Sequence, residues 1–138
     1  MSTVGALTPQ EAWALLERDP RAVLVDVRTT AEWAYVGAPD LSSLGRQAIR
    51  LDWQQFPTMA LNAGFVAALS AAVPDPTTPI AYLCRSGVRS LAAAEAMAAA
   101  GYTGGYNITG GFEGVPDAQK HRGTVDGWKV AGLPWVQG

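Results

Sequence analysis

The one soft nucleophile in this 138-residue chain is its single cysteine, Cys84, in the run Tyr82-Leu-Cys-Arg-Ser-Gly-Val-Arg-Ser90. The apolar residues 80–83 before it read as a buried strand, and the alanine-rich stretch after Gly87 reads as a helix. The thiol therefore stands where a strand hands over to a helix N-terminus. The first N–H groups of a helix have no partner within it, and the macrodipole adds positive potential, so an anion is favoured there. Arg85 and Arg89 place two cations within five residues of the sulfur, and such surroundings favour the thiolate. Gly87 lets the loop turn tightly enough for its N–H groups to converge as an anion nest. A thiolate in a cradle of donors is a nucleophile.

Little else competes with it. The chain has one histidine, His121, which together with a single cysteine excludes an intramolecular disulfide, a C-x-x-C redox pair and a Cys/His zinc cluster. Nothing in the sequence calls for a metal or a cofactor. His121 lies in a polar stretch between Lys120 and Arg122 and reads as a solvated surface residue, because an ionised nucleophile needs no general base. Trp33, Trp53, Trp128 and Trp135 read as core or lid packing rather than a ligand cage. Phe112-Glu113, after a double glycine, is a candidate for the pocket mouth.

Composition bounds the rest. At 138 residues and 49% apolar content the chain is expected to form one domain over 1–138, and with only 16% charged residues, against roughly a quarter on average, it is not disordered. Ten basic and twelve acidic residues are interspersed for a net charge of -2, so no positive field exists to hold nucleic acid or anionic lipid. Any anion must be caught locally. No apolar run approaches the roughly 20 residues needed to span a bilayer. The start, residues 1–7, has no basic segment of the kind that opens a signal peptide. A soluble cytoplasmic protein is the expectation.

The elements that position Cys84 follow from patterning. Thr8, Pro9 and Glu11 form a cap, a first helical proline and a capping box, with Ala12, Leu15 and Leu16 as the apolar stripe and Asp19-Pro20 as the stop. Residues 22–27 are a short apolar, β-branched run without alternation, which predicts a strand buried on both faces. A helical turn is expected over 30–36, a break at 37–40 and a weaker strand over 48–53. Asn62 is placed to cap a helix whose face is Phe65, Leu69, Ala72 and Val73, ended by the prolines of 74–79. The helix after Cys84 runs to Ala100 with Gly101 beyond it, 106–108 is a last short strand, and 125–131 a short helix. Alternating strands and helices predict an α/β fold with a parallel sheet, helices on both faces, and ligands at the strands' carboxyl ends.

The loop Cys84-Arg-Ser-Gly-Val-Arg89 resembles the six-residue active-site loop of the rhodanese family of sulfurtransferases. Leu24-Val-Asp-Val-Arg28 followed by Glu32-Trp33, Asn107-Ile-Thr-Gly-Gly111 and Gly127-Trp-Lys-Val-Ala-Gly-Leu-Pro134 resemble further family stretches, in the family's order and across almost the whole chain. The resemblance implies a central, mainly parallel five-stranded sheet, with Cys84 attacking the outer sulfur of a donor such as thiosulfate and carrying it as a persulfide. The acceptor would be thiophilic: cyanide, a thiol, or a partner protein's thiol. It further implies that the loop of Arg85, Ser86, Gly87, Val88 and Arg89 binds substrate, its amides stabilising the persulfide and its two arginines holding a small anionic donor. On electrostatic grounds two arginines favour a compact dianion over 3-mercaptopyruvate. Asp26, Arg28 and Glu32 would brace the pocket floor. One departure is visible, since Gly37-Ala-Pro-Asp40 stands where the family often has a Gly-His-Ile-Pro-Gly-like stretch.

Two other readings compete. Cysteine phosphatases and arsenate reductases also use a thiolate at a helix start, but their loop is Cys-x5-Arg. Here Arg89 closes a Cys-x4-Arg loop and Ser90 occupies the next position, so the ring is small for a phosphoryl group. A non-catalytic binding or sulfur-relay module of the same fold is the second alternative, against which the retention of Cys84 with both arginines argues.

Overall fold

The computed structural model describes residues 4–55 and 58–137. Residues 1–3 of the N-terminal stretch considered above lie outside it, so the reading of 1–7 as no signal peptide falls partly beyond the described residues. In chain order the elements are β1 (Gly5–Leu7), α1 (Pro9–Arg18), β2 (Val23–Asp26), α2 (Thr30–Tyr35), β3 (Ala38–Pro39) and β4 (Ile49–Arg50), then β5 (Gln54–Gln55), β6 (Ala60–Leu61), α3 (Phe65–Ala72), β7 (Ile80–Leu83), α4 (Val88–Ala99), β8 (Gly105–Ile108) and β9 (Trp135–Val136). The central sheet has the order β1-β8-β7-β2-β4, and every pairing in it is parallel.

The absence of alternation in β2 and β7 has its cause in two separate cores. Val25, Val27, Ile80, Tyr82 and Cys84 face α3 and α4 and pack with Phe65, Leu69, Ala93 and Met97. Leu24, Ala81, Leu83 and Ile108 point the other way, onto Ala12, Leu15 and Leu16 of α1 and onto Phe112 and Trp128. With period-2 side chains and both faces covered, every position must be apolar.

The helix signals behave as their chemistry requires. Thr8 accepts from the Glu11 amide while the Glu11 carboxylate accepts from the Thr8 amide, and Thr29 with Glu32 builds a second capping box on α2. Asn62, expected as a cap, instead closes a turn just ahead of α3. Its Oδ1 accepts from the Gly64 amide and its Nδ2 donates to Asp52, so the helix begins at Phe65.

Three differences from the sequence reading have physical causes. Gly5–Leu7 is a fifth strand that composition does not announce, held by register with Tyr106, Asn107 and Ile108; the Tyr106 ring lies 2.8 Å from where a Cβ on Gly5 would be. The strand expected over 48–53 keeps ladder pairing only at Ile49–Arg50, although Leu51 and Trp53 still donate to the carbonyls of Asp26 and Val27. The helix expected over 125–131 does not form. Gly127 adopts φ +106 within it, and the Trp128 and Lys129 amides are spent on the Gly111 and Phe112 carbonyls.

Candidate active site

Strand order reverses between β2 and β7, so the crevice at their carboxyl ends is where an open parallel sheet binds ligands. Asp26 ends β2, and Cys84 follows the last residue of β7. From Cys84 the loop reaches α4, whose N-cap is Gly87 at φ +111, a conformation that favours glycine.

Two groups hold the sulfur. The Gly87 amide donates to Cys84 Sγ at 3.1 Å, and the Ser90 hydroxyl in the first turn of α4 lies 3.2 Å away. Of the amides from Arg85 to Arg89, that of Gly87 is the one within hydrogen-bond distance of the sulfur. Proton counting orients the rest. Asn107 in β8 donates through Nδ2 to the Gly87 carbonyl at 3.1 Å, so its Oδ1 is the acceptor for the Ser90 hydroxyl. A serine has one proton. With that proton on Asn107, Ser90 offers the sulfur a lone pair, which a neutral thiol can meet with its S–H; Ser90 can serve a thiolate as donor only by releasing Asn107.

The far side of the loop is pinned by the segment after β8. The Phe112 amide donates to the Cys84 carbonyl at 2.8 Å, and the Glu113 and Gly114 amides both donate to the Arg85 carbonyl. In a trans peptide the following N–H points opposite the carbonyl, so the Arg85 and Ser86 amides are turned away from residues 112–114. Gly111 makes this approach possible, because a Cβ there would lie 2.5 Å from the Cys84 carbonyl oxygen.

The expected floor residues form two ion pairs. Arg28 is fully buried, donates through Nε and Nη2 to both oxygens of Asp26 at 2.9 and 2.7 Å, and gives Nη2 also to the Gly37 carbonyl. Its Cζ lies 4.3 Å from the centre of the Phe112 ring, while Nη1 has no partner among the described residues. Glu32, at the start of α2, receives both Nη groups of Arg89 at 2.7 and 2.9 Å. Burial alone would raise the Glu32 pKa, but the hydrogen bonds and charge of Arg89 outweigh it and hold the carboxyl below its ordinary value. Burial likewise opposes the charge on Arg89, and Glu32 more than restores it. Arg89, read as a donor-binding cation, thus has its fork engaged by a carboxylate. Arg85 is exposed and makes no side-chain hydrogen bond or ion pair among the described residues. Ser86 and Val88 lie on the loop's outer turn, Val88 being 76% exposed.

Other candidates fall away from the sulfur. Phe112 is fully buried between Arg28 and Trp135, which removes it from the pocket mouth. His121 is exposed in a loop ordered by Asp117, which accepts from the amides of Gln119 and His121 and from the Thr124 hydroxyl. Trp128 is fully buried against Trp13, and Trp53 stacks edge-on to Phe65. No group of three or more potential metal ligands occurs among the described residues, and no helix among them is long and apolar enough to cross a membrane. Ser90 and Asn107 are the site residues that sequence reading missed. Their signal was an asparagine inside an apolar strand, which burial obliges to find partners.

Comparison with known proteins places this geometry in context. Residues 4–138 match the family described as STR4 middle domain. The crystal structure of Rv0390 from M. tuberculosis is 50% identical with a TM-score of 0.90, covering 98% of each chain. An uncharacterized protein of Rickettsia conorii is 39% identical over 134 residues, 96% of this chain and 98% of that one. The thiosulfate sulfurtransferase GlpE of Actinobacillus succinogenes is 27% identical over 128 residues, 93% of this chain and 86% of that one.

Proposed function

The chain belongs to the STR4 middle-domain family, a family of rhodanese-like domains, and from that premise we propose that it is a sulfurtransferase carrying a sulfane sulfur as a persulfide on Cys84. The observation that carries this reading is the seat of the sulfur, at the carboxyl end of β7, on the Gly87 amide and beside Ser90. The Cys84 thiolate attacks the outer sulfur of a donor such as thiosulfate. A new S–S bond forms, the donor's S–S bond breaks, and its electron pair leaves with sulfite. The terminal sulfur of the persulfide keeps one negative charge, facing the N-terminus of α4 and preorganised loop dipoles that need little rearrangement to receive it. A thiophilic acceptor, cyanide or a thiol, then attacks that sulfur and returns Cys84 as thiolate.

With one cysteine in the chain, no resolving thiol can discharge the persulfide internally. The loaded protein should therefore accumulate when a donor is present without an acceptor. Cys84 is 1% exposed, which favours a small donor and an acceptor that is small or presented on a narrow tip, a protein cysteine at a chain end included. Intact-mass analysis after thiosulfate treatment should show the gain of one sulfur atom, removed by cyanide with release of thiocyanate. Cys84→Ser should fold and take up nothing. A folded wild-type protein that gains no sulfur from any sulfane donor would overturn the proposal.

A further inference from the structure

Resting on that reading, we infer that Glu32 sets which donors the enzyme prefers: by occupying Arg89 it lowers the charge of the site so that a monoanionic sulfane donor is favoured over a dianion. Sequence counts two loop cations, Arg85 and Arg89. The fold cancels one, because both Nη groups of Arg89 are spent on both oxygens of Glu32, across 57 residues of chain and in a half-buried setting. The Asp26–Arg28 pair beneath is also neutral and fully buried. Arg85, exposed and without a side-chain partner among the described residues, is the loop cation left to meet a donor. Arg85, Arg89 and Glu32 together carry +1, which the Cys84 thiolate balances. A dianion entering such a site keeps an unmatched charge, whereas a persulfide or thiosulfonate monoanion leaves less behind.

Thiosulfate and methanethiosulfonate separate the two cases cleanly. They share a transferable outer sulfur and differ by a methyl group in place of one charged oxygen. With the second donor, Cys84 takes the sulfane sulfur, the S–S bond breaks, and the electron pair leaves on methanesulfinate. The quantity to follow is the ratio of kcat/KM for thiosulfate to that for methanethiosulfonate, with thiocyanate release as the assay. The group's charge is +1 in the wild type, +2 in Glu32→Gln, 0 in Arg89→Gln and +1 again in the double variant. Glu113, whose amide contacts the Arg85 carbonyl, is common to all four and drops out.

For a separation of about 6 Å and an effective dielectric between surface and bulk water, one unit of charge changes the ratio by about three- to tenfold. The ratio should therefore rise by that factor in Glu32→Gln, fall by it in Arg89→Gln, and return toward the wild-type value in the double variant. If Glu32→Gln does not fold, the fall in Arg89→Gln tests the same sign. A brace that merely holds the loop would depress both donors together, so a ratio equal in all four proteins overturns the inference. Sulfur uptake from neither donor would overturn the sulfurtransferase reading itself, and is told apart by intact mass.

Discussion

Replacing Asp26 by Asn should remove about 3–5 kcal/mol of stability, the usual consequence of taking one partner from a buried ion pair. Asn is almost the same shape as Asp, so the change isolates charge and hydrogen bonding from packing. Arg28 is fully buried, and its Nε and Nη2 donate to the two Asp26 oxygens. In the variant one of those oxygens becomes an NH2 group facing a guanidinium N–H, donor against donor. Nη1 is already without a partner among the described residues, which leave the arginine nothing in reserve beyond the Gly37 carbonyl and the Phe112 ring face. A domain of this size has about 5–15 kcal/mol in all, so the loss would consume a large fraction of it. Urea unfolding followed by tryptophan fluorescence is the assay; with a slope of about 2 kcal/mol per molar, the midpoint should fall by about 2 M. Arg21→Gln, which loses only an exposed pair to Asp75 at 3.9 Å, should leave the midpoint where it is. A shift in Asp26→Asn no larger than that control would refute the claim that the buried pair holds β2 to the segments at Gly37 and Phe112.

Three further outcomes follow from the same geometry. The Glu32–Arg89 pair should make stability fall in acid: Glu32 titrates below its ordinary value of 4.5, so its contribution is complete above that pH and is lost as pH drops through the lower folded value. Urea midpoints measured against pH should show that loss in the wild type and a flatter acid limb in Glu32→Gln. Because Ser90 gives its one proton to Asn107 and can only accept from the neutral thiol, Ser90→Ala should ease ionisation of Cys84 and move the pH–rate profile for iodoacetamide alkylation to lower pH, with Ser90→Thr restoring it; an unchanged profile would remove Ser90 from the site. Gly111→Ala should lower the urea midpoint and disturb the loop, because a Cβ at φ +62 would stand 2.5 Å from the Cys84 carbonyl; a variant with wild-type midpoint and sulfur uptake would contradict that close approach.

How much of this was legible in the sequence depended on whether a residue's partner was near in the chain. The α1 capping box, the two doubly buried strands and the strand-to-helix seat of Cys84 are local or composition-driven, and the structure has them. β1 was not legible, since Gly5-Ala-Leu7 has no strand-forming residue and gains its conformation from Tyr106, Asn107 and Ile108 a hundred residues away. The short helix that the pattern of 125–131 predicts is absent for the converse reason. Its pattern is locally plausible, but Gly127 and the carbonyls of Gly111 and Phe112 take the backbone elsewhere.

The same division runs through the site. A motif names the charges that a loop carries, and proximity to Cys84 is enough to suspect Arg85 and Arg89 of serving the sulfur. Whether a cation is available to a substrate is a different quantity, fixed by what the rest of the fold sets against it. Glu32 lies 57 positions before Arg89, on a helix whose capping box already uses its carboxylate. That one side chain therefore does two things, capping the start of α2 and neutralising the loop, and the second depends on the first because the cap aims the carboxylate. Asn107 is parallel: it fills a strand position that pattern alone would make apolar, and through Gly87 and Ser90 it reaches the sulfur from the far side. Loop chemistry in this chain is consequently a property of three strands and two helices together. A substitution in α2 or β8 should alter donor preference or thiol reactivity without touching the Cys84-Arg-Ser-Gly-Val-Arg89 sequence itself.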